Sequence, residues 1–352
     1  MLTVSVKASK SYEVCIGKGL LFSGSNYIVD KLCRKSVMIV SDDNVYGLYG
    51  EKLEIILDAA GISHRKYVFA PGEQSKNLSV YGKLVEEMCE SKMTRSDVIL
   101  SLGGGVVGDL AGFAAATYQR GIDFVQIPTS LLAAVDSSVG GKTGVDLENG
   151  KNQVGAFCQP ISVLCDVSLL DSLPKQEYEN GCAEIIKYAM IADRELFDSI
   201  KLKPVIGQYE EVIGKCVSIK RDFVEEDEYD TGLRMMLNFG HTFGHAVEKS
   251  SGYTVPHGRA VAIGMALITK ASVEKGLCDE SVYEQLIKLL EQYNLPVKTC
   301  YNAEELEEVI MTDKKGSGDK LTLVVPTAIG HCELKKISKN EVTDWLRAGG
   351  VL

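Results

Sequence analysis

The chain has 352 residues, of which 45% are hydrophobic and 24% charged, and a formal net charge of −10. That length and composition fit an ordinary globular protein of two domains and exclude fibrous and disordered classes. The acidic balance argues against nucleic-acid binding, and no apolar run reaches the roughly 18 residues of a membrane helix. Residues 1–7 lack the order of a secretory signal, so a cytoplasmic protein with no nucleic-acid or membrane partner is expected.

Taken from the N-terminus, residues 36–40 read as a buried strand, followed by 64–69, 97–102, 124–127 and 161–165. A helix-period stretch at 78–93 lies between the early ones. Strands alternating with helices point to a parallel α/β sheet. From about 175 to 311 the periodicity is mainly helical, with helices expected at 177–191, 212–226, 242–249 and 259–275. A strand pair returns near 321–325 and 332–336. The expected fold is an N-terminal α/β nucleotide-binding domain with a mostly parallel sheet (1–168). A mainly α-helical metal-binding domain follows (169–352).

Ten cysteines are scattered from Cys15 to Cys332 without any C-x-x-C pair, so buried reduced thiols are expected rather than zinc ribbons or redox motifs. The strand at 97–102 runs into Gly103, Gly105 and Gly108, a G-x-G-x-x-G spacing, and then an apolar helix. That order lets backbone N–H groups approach a pyrophosphate at a helix N-terminus. It follows the third strand read here, not the first, which departs from the usual dinucleotide fold. Asp42 and Glu73, each just past a strand, suit ribose hydroxyls or, equally, helix capping.

Three of five histidines fall in one short stretch: His241, His245 and His257. His241 and His245, four apart, share a helix face, and spacing alone nominates them as a ligand pair. His257 follows a Gly- and Pro-containing loop that can fold it back. Glu184 interrupts an apolar helix face and is the best carboxylate to complete an open catalytic site, zinc being the first choice. A salt bridge with Lys187 is the alternative for Glu184. Residues 136–144 resemble a phosphate loop in composition but lack the first glycine of the G-x-x-x-x-G-K spacing. Arg120, Lys220, Arg234, Lys314 and Lys315 lie in separate motifs. Together with a metal they suit a substrate carrying carboxylate and phosphate.

Residues 237–245, 136–143, 150–157 and 184–188 together resemble the dehydroquinate synthase family of sugar phosphate cyclases, in order along nearly the whole chain. The resemblance implies conversion of 3-deoxy-D-arabino-heptulosonate 7-phosphate to 3-dehydroquinate and phosphate. The route is transient NAD-dependent oxidation, phosphate elimination, reduction and aldol closure. It implies NAD+ and one divalent ion, Zn2+ or Co2+, with Glu184, His241 and His257 as ligands, which moves His245 from the metal to the substrate phosphate. Asn238, Asn152, Lys142 and Lys315 would join His245 there. Arg234 and Lys220 would clamp the carboxylate, and Lys187 and Asp136 would touch ring hydroxyls. Arg120 would reach the neighbouring subunit's site, implying a homodimer. NAD would be held by Asp42, Asn44, Glu73, Lys76, Gly104, Gly105, Asp109, Thr129, Ser130, Lys142 and Lys151, and by the loop of Leu169, Leu170, Asp171 and Ser172. Ser130 and Ser172 stand where the family often has threonine, a change that keeps the hydroxyl. Three rivals remain: a cyclase whose substrate lacks a carboxylate, such as 2-deoxy-scyllo-inosose synthase; a metal-dependent polyol dehydrogenase, which would release NADH; and a non-catalytic NAD-responsive protein, which would be expected to lose a metal ligand.

Overall fold

The computed structural model describes residues 1–22, 27–32, 35–148, 150–313 and 319–352. They divide into two compact units. One comprises Met1–Leu173 and Tyr209–Tyr229, the other Pro174–Gln208 and Asp230–Leu352.

Nine strands are described in the first unit: β1 (Leu2–Val6), β2 (Tyr12–Gly17), β3 (Val37–Asp42), β4 (His64–Phe69), β5 (Val98–Gly103), β6 (Asp123–Pro128), β7 (Lys142–Leu147), β8 (Gly150–Phe157) and β9 (Ser162–Asp166). Seven form one sheet in the order β1-β2-β9-β6-β5-β3-β4. All its pairings are parallel except β1 with β2. Successive residues of a strand serve opposite faces. Val37 and Ile39 pack with Leu53 and Leu57, while Met38 and Val40 pack with Leu84 and Met88. A strand buried on both sides has no polar alternation, which is why residues 36–40 read as one apolar run.

The remaining two strands, β7 and β8, pair as a separate antiparallel hairpin, where the sequence had suggested no strands. Gly155 allows this pairing: a Cβ there would stand 2.2 Å from the carbonyl oxygen of Thr143. The helix Tyr209–Glu226 also belongs to this unit, although it lies beyond residue 168 in sequence. Its C-terminal end and the turn that follows hold the β1–β2 turn, with Glu225 accepting from the Lys7 N–H at 2.6 Å and Glu228, just past the helix, from the Ser9 N–H at 2.8 Å.

The second unit is built on the helices Lys175–Ala192, Arg194–Leu202, His241–Ser250, His257–Glu274, Glu280–Gln292, Ala303–Asp313 and Val342–Ala348, with a hairpin of β10 (Lys320–Ala328) and β11 (His331–Ser338). Two of these helices cross at backbone contact. A Cβ on Gly264 would stand 1.9 Å from the Gly240 carbonyl oxygen, and one on Gly244 would stand 2.8 Å from that of Ala260. Any side chain at either position would hold the helices apart. Among the described residues no disulfide joins cysteines, and no helix is long and apolar enough to cross a membrane.

Candidate functional site

In the second unit three helices bring their polar residues to one point. Glu184 and Lys187 sit one turn apart on Lys175–Ala192. His241 opens the helix His241–Ser250 after Gly240 in the left-handed region (φ 78°). His257 opens the helix His257–Glu274 after Pro256. A Cβ on Gly258 would fall 2.4 Å from the Asn180 carbonyl oxygen, so glycine lets this helix start lie against the turn preceding Glu184.

Glu184 is 1% exposed. Its Oε1 stands 3.6 Å from His241 Nε2 and 3.4 Å from His257 Nε2, and its Oε2 is 2.5 Å from Lys187 Nζ. The other ring nitrogens have acceptors. His241 Nδ1 lies 3.1 Å from the Phe239 carbonyl oxygen and His257 Nδ1 lies 3.3 Å from Glu248 Oε2. A carbonyl can only accept, so His241 carries its proton on Nδ1 and turns the Nε2 lone pair toward Glu184.

Burial drives the His241 pKa down to about 3, with Glu184 opposing. Burial would also lower His257, but Glu184 and Glu248 outweigh it and hold that ring at about 10.

These donors fit a divalent cation. Two ligands held about 2.1 Å from one tetrahedral zinc stand about 3.4 Å from each other. The Glu184 carboxylate keeps nearly that spacing from both imidazoles. His245 joins the cluster. Its ring centroid is 5.3 Å from that of His241 and 5.8 Å from that of His257, and the three histidines offer ligand atoms all within 4.8 Å of one another. Arg234 is 2% exposed within the turn Leu233–Asn238, at whose end Asn238 is exposed.

In the first unit the glycine loop leaves β5 and opens the helix Gly105–Thr117, with Gly104 at its N-cap. Cβ atoms on Gly104 and Gly105 would come within 3.3 and 3.1 Å of the Ser130 and Ser137 hydroxyls. Nearby lies a charged network. Lys76 Nζ is 2.5 Å from Asp109 Oδ2 and donates to Asn152 Oδ1 at 2.6 Å, while Lys151 Nζ is 3.4 Å from Glu73 Oε1. Asn152 is held in the left-handed region (φ 54°), its N–H donating to Asp146 Oδ1 at 2.7 Å. Lys220 donates to both the carboxylate and the carbonyl oxygen of Asp136.

Two family profiles match the chain consecutively: 3-dehydroquinate synthase N-terminal over residues 66–180 and 3-dehydroquinate synthase C-terminal over 181–316. This chain belongs to the 3-dehydroquinate synthase family. A 3-dehydroquinate synthase from Enterococcus faecalis is 42% identical over 99% of both chains. Among solved structures, the 2-epi-5-epi-valiolone synthase ValA from Streptomyces hygroscopicus, with NAD+ and Zn2+ bound, matches at TM-score 0.89 and 27% identity over 99% of both chains. A 2-deoxy-scyllo-inosose synthase complexed with carbaglucose-6-phosphate, NAD+ and Co2+ matches at TM-score 0.89 and 25% identity over the whole of both.

Within this family chain the remaining expected residues are placed as follows. Asp42 caps the short helix Asp43–Val45, which contains Asn44, by accepting from the Val45 N–H at 3.0 Å; burial raises its pKa. Thr129 is buried and its N–H donates to the Gly103 carbonyl oxygen at 3.0 Å; the Ser130 hydroxyl accepts from the Ala133 N–H at 3.2 Å. Lys142 begins β7 with its side chain exposed, and Arg120 is exposed in the left-handed region (φ 68°). Leu169 and Leu170 bury their side chains, Asp171 is exposed, and the Ser172 hydroxyl pairs with Tyr49 at 2.6 Å. Lys314 and Lys315 lie outside the described residues. Sequence reading missed Asp146, which tethers Asn152, and Glu248. The signal for Glu248 was its spacing: seven residues beyond His241 returns to the same helix face.

Proposed function

We propose that this chain is a phosphorus–oxygen lyase that converts 3-deoxy-D-arabino-heptulosonate 7-phosphate into 3-dehydroquinate and inorganic phosphate, a step of aromatic amino-acid biosynthesis. It uses NAD+ and one divalent cation, zinc or cobalt. The observation that carries this reading is the convergence of Glu184 with the Nε2 atoms of His241 and His257, in a chain that matches 3-dehydroquinate synthases end to end.

Glu184, His241 and His257 hold the cation. When bound, the cation supplies Lewis-acid polarisation of a substrate hydroxyl and NAD+ accepts and gives back a hydride. The chain's own residues supply position and charge. Arg234 and Lys220 hold the substrate carboxylate. His245, Asn238, Asn152 and Lys142 hold the phosphate, with Lys315 as a further contact. Lys187 and Asp136 meet ring hydroxyls. Asp42, Asn44, Glu73, Lys76, Asp109, Thr129, Ser130, Lys142 and Lys151, the glycine backbone at 104–105 and the 169–172 loop hold NAD. Arg120, carried on a strained exposed turn, serves the site of a second copy in a homodimer, and the protein works in the cytoplasm.

The deciding experiment incubates purified protein with the heptulosonate phosphate, NAD+ and zinc and follows phosphate, dehydroquinate and NADH. Equal amounts of phosphate and dehydroquinate are expected, abolished by chelator, with no net NADH. Stoichiometric NADH would instead indicate a dehydrogenase. Turnover of glucose 6-phosphate in place of the heptulosonate would indicate a cyclase that needs no carboxylate.

A further inference from the structure

We infer that Glu248 is a positioning residue of the cation centre: its carboxylate accepts the Nδ1 proton of His257 and thereby aims the opposite nitrogen at the metal. The inference rests on the reading of Glu184, His241 and His257 as ligands.

Glu248 is 5% exposed, near the end of the helix His241–Ser250. Residues 241, 245 and 248 of that helix are spaced to share one face. The Glu248 Oε2 lies 3.3 Å from His257 Nδ1, on the side of the ring away from Glu184. Its backbone reinforces the placement. The Glu248 carbonyl oxygen accepts from the Ser251 hydroxyl at 2.6 Å and from the Tyr253 N–H at 2.9 Å. The same Ser251 hydroxyl accepts from the Val255 N–H at 3.1 Å. These bonds fold the connecting loop back, so that one residue both turns the chain toward His257 and grips the ring it delivers.

A carboxylate is costly to bury, and a metal-binding imidazole is the partner that makes this one useful. An acceptor on the far nitrogen fixes tautomer and ring orientation, and a charged acceptor makes the ligating nitrogen more basic. His241 has the neutral counterpart, the Phe239 carbonyl oxygen. The two histidines are therefore supported unequally, and His257, which opens its helix after a loop, has the charged partner.

The test strips metal from the full-length wild type and from Glu248→Gln, Glu248→Met and His257→Ala. It then measures zinc affinity by competition with a chromophoric chelator, alongside melting of each metal-free protein. Glu248→Gln keeps shape and loses charge; its zinc affinity should fall about tenfold, and Glu248→Met, which removes the acceptor, should fall closer to about a hundredfold. A purely structural glutamate would lower the metal-free melting temperature and leave zinc affinity alone. If His257→Ala loses zinc while a folded Glu248 variant stays within about twofold of wild type, the centre stands and the role of Glu248 falls. If His257→Ala binds zinc as the wild type does, the centre itself is misassigned, and the inference goes with it.

Discussion

Glu184 and His257 meet at 3.4 Å, Oε1 to Nε2, although each belongs to a different helix and the nearer neighbours of Glu184 in sequence are apolar. The carboxylate is almost wholly buried and the ring nitrogen facing it is one that a cation or a proton must satisfy. Glu184→Gln preserves volume and removes the charge. We expect zinc retention after desalting to fall at least about a hundredfold, more than for a supporting residue, and phosphate release to fall with it. Metal analysis by atomic emission checks this. A variant that keeps one zinc per chain would remove Glu184 from the ligand set.

The meeting of His241 and His257 depends on a glycine crossing. A Cβ on Gly264 would stand 1.9 Å from the Gly240 carbonyl oxygen and 2.6 Å from the Gly244 nitrogen, so the obstacle is backbone and cannot rotate away. Gly264→Ala should destabilise by about 3 kcal/mol or more, the upper end of overpacking costs, and weaken zinc binding by spreading the helices. Gly82, inside the helix Leu78–Glu90, has nothing within 4 Å of an added Cβ. Gly82→Ala should instead stabilise by about 0.5–1 kcal/mol. Chemical denaturation of both variants gives the comparison. Equal effects at the two positions would show that the crossing is looser than the structure has it.

The parallel strands were readable because burial on both faces writes an uninterrupted apolar run, as at Val37, Met38, Ile39 and Val40. The hairpin of β7 and β8 was not, because its glycines and polar residues carry loop chemistry and its register rests on close backbone approach at Gly155. The helix Tyr209–Glu226 showed its periodicity, but an apolar stripe does not say which partner covers it; Gly214 against Leu2 does. The same limit applies at the histidines. Spacing put His241 and His245 on one face and nominated that pair; it could not show the approach of His257 to Glu184, which depends on a loop and on Gly258. Glu184 stood out as a carboxylate on an apolar face and was nominated on that ground to complete a site with two imidazoles; that His257 is one of the two came from the resemblance to a family. Glu248 carried a helical spacing that nothing in composition marked.

Lys76 joins two groups expected to serve different ligands: Asp109 on the nucleotide side and Asn152 on the phosphate side. Lys76→Met leaves Asp109 without its cation. We expect a loss of about 2–3 kcal/mol, less than the about 3–5 of a wholly buried pair because the Asp109 side chain keeps a fifth of its surface. NAD+ affinity should fall as well. The double variant Lys76→Met/Asp109→Asn should recover part of the stability but not the affinity, since the stranded charge is gone and the nucleotide contact is still missing. Urea unfolding and NAD+ titration separate the two effects. A double variant no more stable than Lys76→Met would show that the pair is not coupled.

Asp123, at the start of β6, receives Lys10 Nζ at 2.6 Å and Lys35 Nζ at 2.7 Å, and so ties the β1–β2 turn and the approach to β3 to the middle of the sheet. Burial alone would raise its pKa, but the two ammonium groups outweigh it and hold the carboxyl below its ordinary value. The folded state therefore binds this proton less readily than the unfolded chain. The stabilisation is present above the unfolded value of about 3.9 and is lost as the pH falls through the lower folded value. Asp123→Asn should accordingly melt below wild type at neutral pH, with the gap closing as the pH is lowered beneath about 4. Because a third of the side chain is exposed, the gap at neutral pH should also shrink in about 1 M salt. Melting curves of both proteins across that pH range, at low and high salt, decide it. A gap independent of both pH and salt would mean that Asp123 acts through backbone geometry and not through its charge.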